Sequence, residues 1–155
     1  MADRSTFKEN LKYHKIVLVC IVLISIWVTY EYKSGDTGPS YENGQSKIVG
    51  GKVNGRDEGL WTWYYENGKK QMEGTFVKGK REGIWSIWGS SGNKVSESLY
   101  KNDKLNGPFV HWHANGQKES EGVYVNDKLE GAVTYYYNNG TSKEVKNYRN
   151  GEVVN

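Results

Sequence analysis

Gly35, Gly59, Gly83, Gly107 and Gly131 stand 24 residues apart, and so do Gly44, Gly68, Gly92, Gly116 and Gly140. Two further series keep the same period: Gly50, Gly74, Ser98, Gly122 and Lys146, and the turn-forming positions Gly55, Gly79, Asp103, Asp127 and Gly151. Self-similarity at a fixed period means that each copy is one supersecondary unit that cannot bury its apolar surface alone, so the units must stack. The first copy is degenerate, "GDTGPSYENG" against "GLWTWYYENG" in the second, and the last carries Lys146 in the third glycine series. Terminal units of an array are atypical in this way.

Each unit reads as a hairpin. "ENGK" (66–69), "ANGQ" (114–117) and "NNGT" (138–141) carry Asn-Gly, the dipeptide suited to a two-residue type I′ loop because both positions tolerate positive φ. Pairing outward from Asn67-Gly68 predicts Trp61 opposite Gly74, and the same step gives Trp85 opposite Ser98 and Phe109 opposite Gly122. A large ring then covers a residue with little side chain. The second turns, "KGKR" (78–81) and "NDKL" (102–105 and 126–129), bring Phe76 beside Trp85, Tyr100 beside Phe109 and Tyr124 beside Val133. Such cross-strand pairs contribute about 0.2 to 1 kcal/mol each. Aromatic residues make up 14% of the chain, with 19 Gly against 2 Pro, while Leu, Ile and Val are densest over residues 16–28; in the repeats Tyr and Trp must therefore take over much of the packing. The expected fold is all-β: an elongated, curled single-layer antiparallel sheet of tandem β-hairpin repeats, preceded by one N-terminal transmembrane helix. At about 4.8 Å per strand the ribbon would run roughly 40 to 50 Å, and strand twist would curl it.

The helix is read from "IVLVCIVLISIWVTY" (16–30), which holds no charge and with its flanks approaches the roughly 20 residues needed to cross a bilayer. A cleaved signal peptide is the competing reading, but Thr29, Tyr30, Glu31 and Tyr32 make no small-residue cleavage site. The expected organisation is a cytoplasmic tail (1–15), a transmembrane signal anchor in contact with the lipid bilayer (16–32), a linker with the degenerate first repeat (33–58), and four 24-residue hairpin repeats (59–155). Arg4, Lys8, Lys12 and Lys15 precede the span and Lys33 and Lys47 follow it, which places the N-terminus in the cytoplasm and the repeats outside. Cys20 lies inside the span and reads as a small apolar membrane residue, so the chain has no disulfide framework of its own.

"EGTFVKGKREGIW" (73–85) and "EGVYVNDKLEG" (121–131), joined by "WYYENGK"-type hairpins, resemble the MORN repeat, in the longer 24-residue variant found in bacterial proteins often given an antitoxin-like label. The resemblance covers about Gly35 to Asn155. Departures are Gly89 where neighbours carry Tyr65 and Tyr137, and Asp103 and Asp127 in place of turn glycine. The resemblance implies a curled antiparallel sheet that acts as a scaffold, a protein-binding surface or a membrane-proximal lipid contact.

The sequence carries no nucleophile elbow, phosphate loop or zinc signature, so no catalytic residue, metal or cofactor is expected. His111 and His113 share a strand face, which suits two metal ligands, but they also fit as polar aromatics in the ring positions held earlier by Trp63 and Tyr65. Residues 33–155 hold only two more basic than acidic side chains, too small a footprint for nucleic acid. A protein partner is expected instead. Tyr64, Trp88, Trp112 and Tyr136 fall on the face opposite the glycine-covering rings, one per unit and about 10 Å apart by strand spacing, with Glu73, Glu97 and Glu121 on the same face. Tyr and Trp are frequent binding anchors, and self-association through this row is the competing use. A cell-wall glycan-binding or choline-binding module is the alternative, since rings stack on sugars and quaternary amines; it would need the rings opposite the glycines to be open to solvent.

Overall fold

The computed structural model describes residues 33–34 and 38–154. Contacts divide the chain into Met1–Lys33 and Ser34–Asn155, and the repeats form the second unit. The expected transmembrane segment lies outside the described residues; among those described, no helix is long and apolar enough to cross a membrane.

After a two-residue strand β1 (Lys33–Ser34), the strands are β2 (Ile48–Val53), β3 (Arg56–Tyr64), β4 (Lys70–Val77), β5 (Lys80–Trp88), β6 (Lys94–Lys101), β7 (Lys104–Trp112), β8 (Lys118–Val125), β9 (Lys128–Leu129), β10 (Gly131–Tyr136), β11 (Ser142–Arg149) and β12 (Glu152–Val154). From β2 onward each strand pairs antiparallel with the next, except that β10 pairs with β8 and β9 lies alongside β8 at one end. The order never returns on itself. The result is an open, all-β sheet of tandem hairpins.

The expected register is found: Trp61 pairs with Gly74, Trp85 with Ser98 and Phe109 with Gly122. Trp61, Trp85, Phe109 and Val133, one per unit, form the buried apolar core at 8%, 6%, 4% and 1% exposure. The direction in which the rings lean differs from expectation. A Cβ built on Gly74 would lie 2.1 Å from the ring of Trp85, and one on Gly50 would lie 2.1 Å from that of Trp61. Each Trp thus reaches back over the preceding unit's glycine rather than over its own hairpin partner. Gly50 and Gly74 sit where the inter-unit ladder shifts register, which opens the space the ring enters. Phe109 does reach its own partner Gly122, from the other side of which Val133 also approaches. Ring pairs continue along this face, with Phe76 at 5.0 Å from Trp85, as expected, and Phe109 at 4.8 Å from Tyr124.

The turn geometry expected of the Asn-Gly loops occurs instead in the second row of turns. Gly68 has φ +77° but Asn67 is not left-handed, and Gly68 N–H donates to the Tyr65 carbonyl at 2.9 Å. The loop is therefore a four-residue turn closed by glycine, not a type I′ pair. Asn67 acts through its side chain: Oδ1 accepts from Lys69 N–H (3.1 Å) while Nδ2 donates to the Ser90 carbonyl one unit on (2.9 Å). Asn43 and Asn115 make the same link to Glu66 and Asn138. Both residues are left-handed in the second turns instead, Asn102-Asp103 (φ 51° and 71°) and Asn126-Asp127 (φ 48° and 68°) among them. Asn and Asp tolerate that region, which is why Asp103 and Asp127 replace glycine there without breaking the period. These turns are stitched too, Asp103 N–H donating to the Arg81 carbonyl and Asp127 N–H to that of Leu105.

Candidate functional site

On the face opposite the buried rings, the paired positions Thr62–Glu73, Ser86–Glu97 and Val110–Glu121 recur at the unit repeat. One step toward the Asn-Gly turns the ladder shifts, so that Tyr64 pairs with Lys70, Trp88 with Lys94 and Trp112 with Lys118, while Tyr136 pairs with Ser142. The shift leaves one extra residue on the returning strand, Gln71 in the first case. In a regular strand, residues three apart point to opposite faces. The bulge removes that constraint and sets Lys70 beside Glu73, Lys94 beside Glu97 and Lys118 beside Glu121, at 2.5, 2.6 and 2.6 Å.

The expected row is therefore assembled on one face: Tyr64, Trp88, Trp112 and Tyr136 are all half-buried, with Glu73, Glu97 and Glu121 beside them. The glutamates are not loose rim charges. Glu73 accepts from Thr62 Oγ1 (3.1 Å) and Glu97 from Ser86 Oγ (3.2 Å) in addition to their lysines. Glu121 accepts from Lys118 Nζ and from the Tyr136 hydroxyl. The hydrogen bond from Lys118, then that from Tyr136, holds the Glu121 carboxyl below the usual carboxylate range. The same contacts with Glu121 push Lys118 and the Tyr136 phenol up. All three groups are thereby fixed in their ordinary charge states at neutral pH.

The lysines were not among the expected site residues, although Lys70, Lys94 and Lys118 are themselves 24 apart; only the bulge brings them to this face. Of their ammonium groups, that of Lys94 stands between two rings of the row. Lys94 Nζ stands 5.8 Å from the Trp88 ring and 5.6 Å from that of Trp112, and Lys70 Nζ stands 5.7 Å from Trp88. Cation–π contacts at exposed sites contribute about 0.5 to 1 kcal/mol, enough to order the rings without covering them. The row thus presents ring faces next to charges of both signs.

The histidines do not converge on a common ligand. His111 Nδ1 lies 3.4 Å from Ser120 Oγ, and His113 Nε2 lies 3.1 Å from the Tyr136 carbonyl. His113 takes the place held by Tyr65, whose hydroxyl donates to the Trp88 carbonyl at 2.8 Å, and by Tyr41, which reaches Tyr64. No cluster of three or more His, Cys, Asp or Glu side chains capable of holding a metal occurs among the described residues. The rings that cover the glycines or the equivalent serine, Trp61, Trp85 and Phe109, are buried rather than laid open along the sheet.

The sequence profile described as MORN repeat variant matches the chain four times in tandem, at residues 57–78, 81–102, 105–126 and 129–150. No curated protein matches the chain.

Proposed function

The chain belongs to the MORN repeat variant family, and from that premise we propose that it is a non-enzymatic, membrane-anchored scaffold that docks a protein partner on the row Tyr64, Trp88, Trp112 and Tyr136. The observation that carries this reading is the row itself. It is a line of half-buried rings on a single-layer sheet, with Lys70 beside Trp88, Lys94 between Trp88 and Trp112, and Glu73, Glu97 and Glu121 alongside. An apolar strip rimmed by charge marks interaction surfaces more often than bare surface, and Trp and Tyr are the residues that most often anchor them.

The anchor is residues 16–32, with the N-terminus cytoplasmic and the repeats extracytoplasmic, on the strength of four basic residues before the apolar stretch and the retention of positive charge inside. An antitoxin-like role is one form such a scaffold takes, its partner being a neighbouring toxin-like protein. Protease added to intact spheroplasts should trim the repeats, and their protection would overturn the topology. Capture of a protein by the full chain from its own membranes, compared with the Trp88→Ala, Trp112→Ala double variant, tests the docking surface.

A further inference from the structure

The ring face has one lapse in its repeat. Along it the column Trp63, Ile87, His111, Tyr135 carries a ring in every unit but one, and the facing column Met72, Ser96, Ser120, Glu144 is small where that ring is missing. Ser120 is as small but faces the His111 ring; Ile87 and Ser96 are paired across one hairpin, so there alone neither member of the pair brings a ring or a long chain. A hollow of about 370 Å³ opens there. Trp63, Phe76, Trp85 and Tyr100 wall it, and Ile87 and Ser96 lie beneath. The walls brace one another, with Trp63 and Phe76 at 5.8 and 5.0 Å from Trp85 and Tyr100 at 6.0 Å. At roughly 30 Å³ for each water-sized group, this is room for a ring bearing a short side chain.

Arg81 also lines the hollow, its Cζ stacked 4.2 Å from the Tyr100 centroid. Nε donates to Asp103 Oδ1 (3.2 Å) and Nη2 to the Asp103 carbonyl (3.0 Å). Nη1 has no acceptor among the described residues. Four rings alone would suit a quaternary amine, but the rim group beside them is a guanidinium whose Nε and Nη2 are spent on Asp103, which leaves Nη1 as donor for one charge-assisted hydrogen bond to an anion. From the missing ring and the open donor together we infer that this hollow binds an aryl carboxylate, the ring lying in the place vacated at Ile87 and Ser96 and the carboxylate on Arg81. The site is on the opposite face from the proposed docking row and independent of it.

The test is a titration of the full chain, labelled with ¹⁵N at its tryptophan indoles and held in micelles, with 3-phenylpropionate and with 3-phenylpropanol as the neutral comparator. The acid should shift the indole N–H signals of Trp63 and Trp85 saturably and leave those of Trp88 and Trp112 in place. The alcohol should bind about tenfold more weakly, the scale of one charge-assisted hydrogen bond, and Arg81→Gln should erase that difference. The double variant Ile87→Trp, Ser96→Met installs the residues that the preceding unit already holds in these columns, and it should abolish the saturable shift. Absence of a saturable shift in the unaltered chain, shifts confined to Trp88 and Trp112, or equal affinity for acid and alcohol would each overturn the inference. So would undiminished binding to the filled variant; if that variant fails to fold, the signal map and the acid–alcohol pair decide alone.

Discussion

The two faces of the sheet use the same residue types at the same period to opposite ends. On one, Trp61 and Trp85 lie over glycine and are at least nine-tenths buried. On the other, Trp88 and Trp112 stand beside lysine stems and remain half-buried. The difference comes from the partner in the neighbouring strand, not from the ring. A residue without a Cβ lets an indole lie on the backbone and exclude water from both; beside lysine the indole keeps part of its surface wet. One row of rings therefore joins unit to unit, and the other is left over for something else.

The comparison breaks most sharply at Gly74. A valine there would place Cβ about where the Trp85 ring lies, 2.1 Å away, and should cost about 4 kcal/mol or more, read as loss of the cooperative unfolding transition. Trp85→Ala should cost about 3 to 5 kcal/mol in denaturant unfolding. The same truncation at Trp112 should cost about 1 kcal/mol, since it removes a half-exposed ring and one cation–π contact. Equal costs at the two positions would dissolve the distinction between the faces.

Within the buried row a finer contrast is available. Trp61 Nε1 donates to the Gly51 carbonyl at 3.1 Å, whereas Trp85 Nε1 is buried with no partner among the described residues. Trp61→Phe should thus be the more damaging of the two Trp→Phe changes by about 1 kcal/mol, the net worth of one hydrogen bond. A larger loss at Trp85 would mean that its indole N–H is satisfied in solution.

On the opposite face the smallest effect is electrostatic. Because the Glu121 carboxyl is held low by Lys118 and Tyr136, its contribution to stability is present above the unfolded carboxylate pKa of about 4.3. It is lost as pH falls through the depressed folded value. Glu121→Gln should flatten that acid limb, leaving stability at low pH unchanged and lowering it at pH 7 by no more than a partly exposed ion pair contributes. An acid limb of the same slope in both proteins would remove Glu121 from the account.

Much of the fold was legible because the period fixes the register: once Trp61 is set opposite Gly74, every later pair follows. The lean of the rings was not, since a Cα register does not say whether an indole covers its own partner or the strand behind it. The Asn-Gly turn type was missed for a related reason. Asn67 is spent on an amide bridge to Ser90, a contact that exists only when units stack, so the local preference of Asn-Gly for a type I′ loop lost to a bond with the neighbouring unit. In the row, the aromatics and glutamates could be placed by alternation. Lys70, Lys94 and Lys118 could not, because a bulge that moves a residue to the other face leaves the alternation intact on either side of it.

The division of labour between the faces is tested most directly by the full chain carrying Trp88→Ala and Trp112→Ala. Its far-ultraviolet β signal should match the unaltered chain, with an unfolding midpoint only slightly lower, while the protein captured from its own membranes by the unaltered chain is no longer retained. An unfolded double variant would show that the open row is structural like the buried one. A folded variant that still captures the partner would place the docking surface elsewhere.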